Sequence, residues 1–205
     1  MKLIVITRPE YFVVEHLLIH ELFNEGLDIL HLRKPDGDPS LCERLLSMLS
    51  EYERSRIVVH DNYGFKNKYG LYGIHLNSRN STIPDGYKGN VSCLCSSLEK
   101  LKECKREMKY VMLGSVFGSS SLPGSGGPTP AFSRQQLRVA SNEGVIDNKV
   151  FAYGGINTEN VGELRNMGFG GVVVYGSLAK RFNPILSDDF KEFISYFRLL
   201  RRFTE

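Results

Sequence analysis

Tryptophan is absent from this 205-residue chain, cysteine occurs only four times, and the charges nearly cancel, with 26 Lys+Arg against 23 Asp+Glu. A net charge of +3 spread along the chain makes no electrostatic case for a nucleic-acid partner. The one basic cluster, Arg198, Arg201 and Arg202, reads as the solvated face of a terminal helix. No apolar run approaches the roughly 18 residues that a membrane-spanning helix needs, so no membrane partner is expected. The opening Lys2-Leu3-Ile4-Val5-Ile6 run is too short for a signal peptide and reads as a first strand. Cys42, Cys93, Cys95 and Cys104 show no paired spacing for a zinc site. Disulfides are not expected, and the expected location is the cytoplasm.

The chain does have a regular alternation. Short β-branched or apolar runs fall at 2–7, 27–32, 56–60, 72–76, 89–93, 109–113, 149–153 and 171–175. Helical periodicity separates most of them, at 10–25, 39–53, 96–107, 132–143, 158–167 and 186–203. Gly26 is placed to end the first helix, Ser133 to cap the sixth and Asn157 the seventh. Strand followed by helix throughout predicts a parallel sheet. Eight such units, with glycine turns late in the chain and none after the first strand, favour a single (β/α)8 TIM barrel over residues 1–205.

The late turns are the strongest functional signal. Val150-Phe151-Ala152-Tyr153 runs into Gly154-Gly155, and Gly171-Val172-Val173-Val174-Tyr175 runs into Gly176-Ser177. Glycine lets the backbone approach an anion, and a following helix start supplies free N–H groups. Two such turns on adjacent strands would form a phosphate cup. The long Gly118 to Pro130 segment, rich in Gly, Ser and Pro, follows the sixth strand and reads as a lid or phosphate loop, with a plain linker as the alternative.

In such a barrel, functional residues lie at the C-terminal strand ends. These ends carry His31, Arg33 and Lys34, then His60 and Asp61, then His75. His31 and Arg33 are two apart and share a face toward the mouth. Arg33 and Lys34 offer cations for phosphate or diphosphate, although Arg33 could instead make a structural ion pair. Asp61 is a candidate Mg2+ ligand or a helix cap. His60 and His75 are candidate substrate contacts or satisfied polar groups. His16 and His20, four apart on the first helix, read as surface histidines.

Taken together, Leu30-His31-Leu32-Arg33-Lys34, Val58-Val59-His60-Asp61, Gly73-Ile74-His75-Leu76, Gly114-Ser115-Val116-Phe117 and the two glycine turns resemble the thiamine phosphate synthase/TenI family over nearly the full chain. The resemblance implies a transferase of thiamine biosynthesis. It would join a pyrimidine methyl diphosphate to a thiazole phosphate and release diphosphate, with Mg2+ as cofactor. Carried over, Arg33 and Asp61 serve the diphosphate–Mg2+ end. Ser119 and Ser121 touch phosphate oxygens, and the N–H groups of Gly155, Gly176 and Ser177 hold the thiazole phosphate.

Three departures from the family pattern remove charge from the diphosphate end. The family lysine two places after the arginine is Pro35, the second Mg2+ aspartate falls on Asn80, and the lysine of the serine-rich loop falls on Leu122. The histidine used by TenI-type tautomerases before their S-L-E-E stretch is Ser96 here. A thiazole tautomerase, a catalytically weakened ligand-binding member and another phosphate-binding barrel enzyme stay open at this point, as does a homo-oligomer.

Overall fold

The computed structural model describes residues 1–118, 129–185 and 190–205. In chain order its elements are β1 (Lys2–Ile6), α1 (Glu15–Asn24), β2 (Ile29–Leu32), α2 (Pro39–Ser47), α3 (Glu51–Arg54), β3 (Ile57–Val59), α4 (Phe65–Tyr69), β4 (Gly73–Leu76) and β5 (Asn90–Cys95). There follow α5 (Leu98–Glu107), β6 (Tyr110–Gly114), α6 (Arg134–Asn142), β7 (Val150–Tyr153), α7 (Val161–Asn166), β8 (Gly171–Val174), α8 (Gly176–Ala179) and α9 (Lys191–Thr204). The strands pair in sequence order, all parallel, and β8 closes on β1. This is the (β/α)8 TIM barrel that the alternation predicts.

Side-chain parity divides the strands into two faces. Ile4, Ile6, Ile29, Val58, Met112, Phe151 and Val173 fill the barrel interior with Tyr110. Their neighbours Leu3, Val5, Leu30, Leu32, Val172 and Val174 face outward into the layer shared with the helices. Both faces are therefore apolar, and strands with two buried faces read as near-continuous hydrophobic runs.

Local chemistry sets the helix ends. Gly26 follows α1 with φ +86°, the left-handed position just past a helix C-terminus. Ser133 caps α6, its Oγ accepting from Gln136 N while the Gln136 side chain accepts from Ser133 N at 2.8 Å. The helix expected over 39–53 is two helices. The first ends at Ser47 with Met48 as its C-cap, and Ser50 caps the second in its own capping box with Glu53. The seventh helix starts later than expected: Asn160 occupies its cap, and Asn157 instead turns the chain by accepting from Glu159 N at 2.8 Å. Two short helices, α4 and α8, were too brief to show a period. Among the described residues no helix is long and apolar enough to cross a membrane.

Candidate active site

The C-terminal strand ends open on a cavity of about 660 Å3, whose wall includes Arg33, His60, His75, Arg79 and Tyr153. Below it the barrel interior turns polar. His31, at the end of β2, is fully buried and hydrogen-bonds through Nε2 to the Tyr110 hydroxyl and through Nδ1 to His60 Nε2 at 2.9 Å. The His60 and His75 rings stack with centroids 4.4 Å apart. His75 Nδ1 lies 2.9 Å from Ser92 Oγ, which donates to the Ile74 carbonyl at 3.4 Å. Which of His75 Nδ1 and Ser92 Oγ donates in this contact follows the imidazole tautomer.

Burial holds all three imidazoles neutral. It pushes His75 down to about 3, with the Arg33 guanidinium adding to the effect. His31 lies well below the ordinary histidine range through burial and then through His75. His60 is depressed by burial first, then by His75, His31, Arg33 and Arg79. One nitrogen from each ring lies within 4.8 Å of the others, a spacing open to a metal ion. Both nitrogens of His31 are already hydrogen-bonded, one to His60 and one to Tyr110.

Arg33 extends the inward face of β2 past the last strand residue. Its backbone N donates to Thr7 Oγ1 at 3.0 Å, which ties the strand end to the β1 end. Its Nη1 is buried with no hydrogen-bond partner among the described residues. A buried guanidinium nitrogen without an acceptor is costly, and its presence beside a cavity points to an anion.

Lys34 does not join it. One residue on, it points outward, and its Nζ donates to Glu15 Oε1 at 2.6 Å and to the Glu10 carbonyl at 2.8 Å. Both charged ends are nearly inaccessible, and Lys34 sits 4.5 Å from the Tyr11 ring centroid. Burial lowers the Lys34 pKa and raises that of Glu15, while their contact opposes both shifts. The catalytic role expected for Lys34 is therefore corrected: it anchors β2 to α1, outside the mouth. Strand parity is the physical reason, since neighbours one apart face opposite ways.

Asp61 and Asn80, the expected Mg2+ ligands, do meet, with Asn80 Nδ2 donating to Asp61 Oδ1 at 3.1 Å. Between them stands a residue absent from the expected site. Arg79 Nη2 donates to Asp61 Oδ1 at 3.0 Å and Oδ2 at 2.9 Å, and Nε reaches Oδ1 at 3.3 Å. Asn77 shapes this loop, its Oδ1 accepting from the backbone N of Arg79 and of Asn80 at 2.9 and 3.0 Å. Mg2+ demands oxygen ligands in near-octahedral array and is bound through carboxylates. One carboxylate already matched by a guanidinium, beside an amide offering a donor, does not fit that ion.

Opposite lies the glycine side. β7 and β8 are neighbours in parallel register, Phe151 to Gly171 and Tyr153 to Val173, so their turns emerge side by side. Gly154 and Gly155 have φ of +96° and +69°. A Cβ at Gly154 would come 2.2 Å from Ser115 Oγ, and one at Gly155 2.5 Å from the Gly118 carbonyl oxygen. Only glycine fits this turn. Gly176 and Ser177 begin α8, whose first N–H groups have no intrahelical acceptor. The Ser177 and Ser115 hydroxyls are buried with no partner among the described residues. Ser119 and Ser121 lie outside the described residues.

Comparison with known proteins places the chain in a family. The sequence profile of the thiamine monophosphate synthase family matches residues 3–178. This chain belongs to that family. A thiamine-phosphate synthase of Staphylococcus saprophyticus is 23% identical over 191 residues, covering 86% of each chain. A crystal structure of thiamine phosphate pyrophosphorylase from Bacteroides thetaiotaomicron superposes with a TM-score of 0.91 at 41% identity, covering 100% of this chain and 98% of that one. The Pyrococcus furiosus thiamine phosphate pyrophosphorylase, at 19% identity and a TM-score of 0.73 over 98% and 94% of the chains, shares the fold.

The sequence reading named several residues that the structure gathers at this mouth, but not Arg79, Tyr110 or Tyr153. Arg79 carried a usable signal, being a charged residue three places beyond β4 and beside Asn80. Tyr110 starts its strand, and nothing local marks it as a partner for His31.

Proposed function

We propose that this chain is a thiamine phosphate synthase-like transferase that couples a pyrimidinylmethyl diphosphate to a thiazole phosphate. The carrying observation is one barrel mouth that presents the buried Arg33 Nη1 at the β2 end and paired glycine turns at the β7 and β8 ends, above a cluster of neutral histidines. A cavity of about 660 Å3 suits ligands of this size.

In this reading the C–O bond between the pyrimidine methylene and the diphosphate breaks first. Its electron pair leaves on the diphosphate, where Arg33 would meet the growing negative charge through its unpartnered Nη1. The methylene carbon becomes cationic. Three imidazoles kept uncharged by burial would line its surroundings without repelling it. The thiazole nitrogen then supplies its lone pair and the new C–N bond forms. Atoms balance with no proton transfer at the reacting centres, so histidines that cannot ionise near neutral pH suit the step. The N–H groups of Gly155, Gly176 and Ser177 would hold the thiazole phosphate so that its nitrogen faces the methylene.

The test is incubation of the protein with both precursors in Mg2+ buffer, following diphosphate and thiamine phosphate together. Equal amounts of the two products support the proposal. Release of neither, from a protein that binds both precursors, overturns it.

A further inference from the structure

We propose that Arg79 takes the place of a divalent cation beside Asp61, so that diphosphate binds at this barrel mouth without Mg2+. This deepens the transferase reading and rests on its assignment of the Arg33 side to the diphosphate.

Charge makes the first argument. Where a metal site would present several carboxylates, Asp61 is matched by Arg79 and the neutral Asn80 donates to the same carboxylate, with no second carboxylate bonded to this group among the described residues. The Asp61–Arg79 pair carries no net charge and leaves nothing to attract a dication. Geometry makes the second. The Asp61 carboxylate grips Arg79 at Nε and Nη2, which leaves Nη1 outside that contact. A guanidinium carries five N–H donors in a rigid fork, so one edge can be held while the other binds phosphate oxygens. The Asn77 turn fixes the backbone beneath it.

Convergence makes the third argument. Arg33 and Arg79 line the same cavity, and both guanidinia help depress His60 between them. Among the described residues Arg79 has a carboxylate partner and Arg33 has none, its buried Nη1 keeping no hydrogen-bond partner. The pair thus brings a surplus positive charge and unused donors to one wall, which suits a diphosphate bridging two arginine forks. Asp61 becomes a positioning residue, orienting Arg79 rather than ligating a metal.

The test uses inorganic pyrophosphate and calorimetry on the whole chain, once in EDTA and once in Mg2+. The expected result is a wild-type Kd in EDTA within about threefold of that in Mg2+, and at least about a tenfold loss for Arg79→Ala in both buffers. Arg79→Lys should recover only part, since a point charge lacks the fork. The double variant Arg79→Ala, Asn80→Asp leaves two facing carboxylates, and its pyrophosphate binding should become dependent on Mg2+. Binding by the wild type only in Mg2+, no binding in either buffer, or an unchanged Arg79→Ala would each overturn the proposal. Turnover separates this from the function: Mg2+-dependent synthesis of thiamine phosphate removes the Arg79 inference and keeps the transferase. Metal-free pyrophosphate binding without turnover does the reverse.

Discussion

The two sides of the barrel mouth are built from different kinds of group. At the ends of β2, β3 and β4 the groups are side chains: Arg33, the Asp61–Arg79 pair and the buried histidines. At the ends of β7 and β8 they are backbone N–H groups presented by glycine turns. A side-chain site changes with every substitution, whereas a backbone site persists as long as the turn does. The family departures at Pro35 and Asn80 fall on the side-chain side, and none falls on the glycine turns. So one half of the site can be re-equipped while the other is carried unchanged by the fold.

The largest expected effect lies in the histidines, which make the side-chain half sensitive to acid. In the unfolded chain each histidine takes a proton near its ordinary pKa of about 6.5. In the folded chain His31, His60 and His75 stay neutral, His75 down to about 3. The unfolded state therefore binds more protons below pH ~6.5, and stability falls as pH falls. Three such groups give a slope approaching about 4 kcal/mol per pH unit, a loss near 6 kcal/mol by pH ~5. That is comparable to the whole stability of an ordinary domain. Urea unfolding between pH 8 and 5 measures it, and His75→Asn should reduce the slope by about a third. A flat profile would mean that the imidazoles are charged in the folded protein.

Next comes Lys34, which tests where the mouth ends. Lys34→Ala leaves Glu15 buried without its partner, and breaking such a pair costs about 3–5 kcal/mol. Thermal unfolding should drop accordingly. Turnover per folded molecule should hold within about threefold, because Lys34 points to Glu15 and is not part of the wall of the mouth cavity that Arg33 lines. A large fall in kcat at a temperature where the variant is folded would return Lys34 to the chemistry.

Arg33→Met should do the opposite. Removing up to two charge-assisted hydrogen bonds to the leaving group, each about 1.5–3 kcal/mol, should lower kcat/KM by roughly 10²–10⁴-fold. The protein should become more stable, because a buried guanidinium nitrogen without a partner among the described residues disappears. If stability instead falls together with activity, Arg33 is part of the scaffold.

How far these features are legible in sequence depends on their range. The strands are, because runs such as Leu3-Ile4-Val5-Ile6 and Val172-Val173-Val174 have little alternative to a strand buried on both faces. The neighbouring glycine turns are too, because consecutive βα units pair side by side. Alternation correctly turned His31 inward, and the same rule, applied one residue further, turns Lys34 outward. Overlooked, by contrast, were pairings set by barrel closure. Tyr110 opens β6 yet reaches His31 at the end of β2, 79 residues away, because tilted strands bring the start of one level with the end of another across the interior. Arg79 meets Asp61 from the next strand end, 18 residues on, a contact that no local pattern encodes. The split at Ser50 was hidden because both pieces carry helix-forming residues, and only the capping box separates them.

Ser177 gives the smallest expected effect and the finest division between the two sides. Its hydroxyl is buried without a partner among the described residues, while its backbone N–H opens α8. Ser177→Ala removes the side-chain oxygen and keeps the amide. Stability should be unchanged or slightly higher, since an unsatisfied buried hydroxyl is lost. If the hydroxyl donates to the thiazole phosphate, KM for that substrate should rise by about tenfold to a hundredfold, the worth of one hydrogen bond to an ionised group of roughly 1.5–3 kcal/mol. The apparent affinity for pyrophosphate should not move. A rise well beyond that range would show that the glycine side depends on side chains as much as the arginine side does, and the contrast between the halves would fail. No change at all would leave the backbone as the whole of the phosphate grip, which is the contrast in its sharpest form.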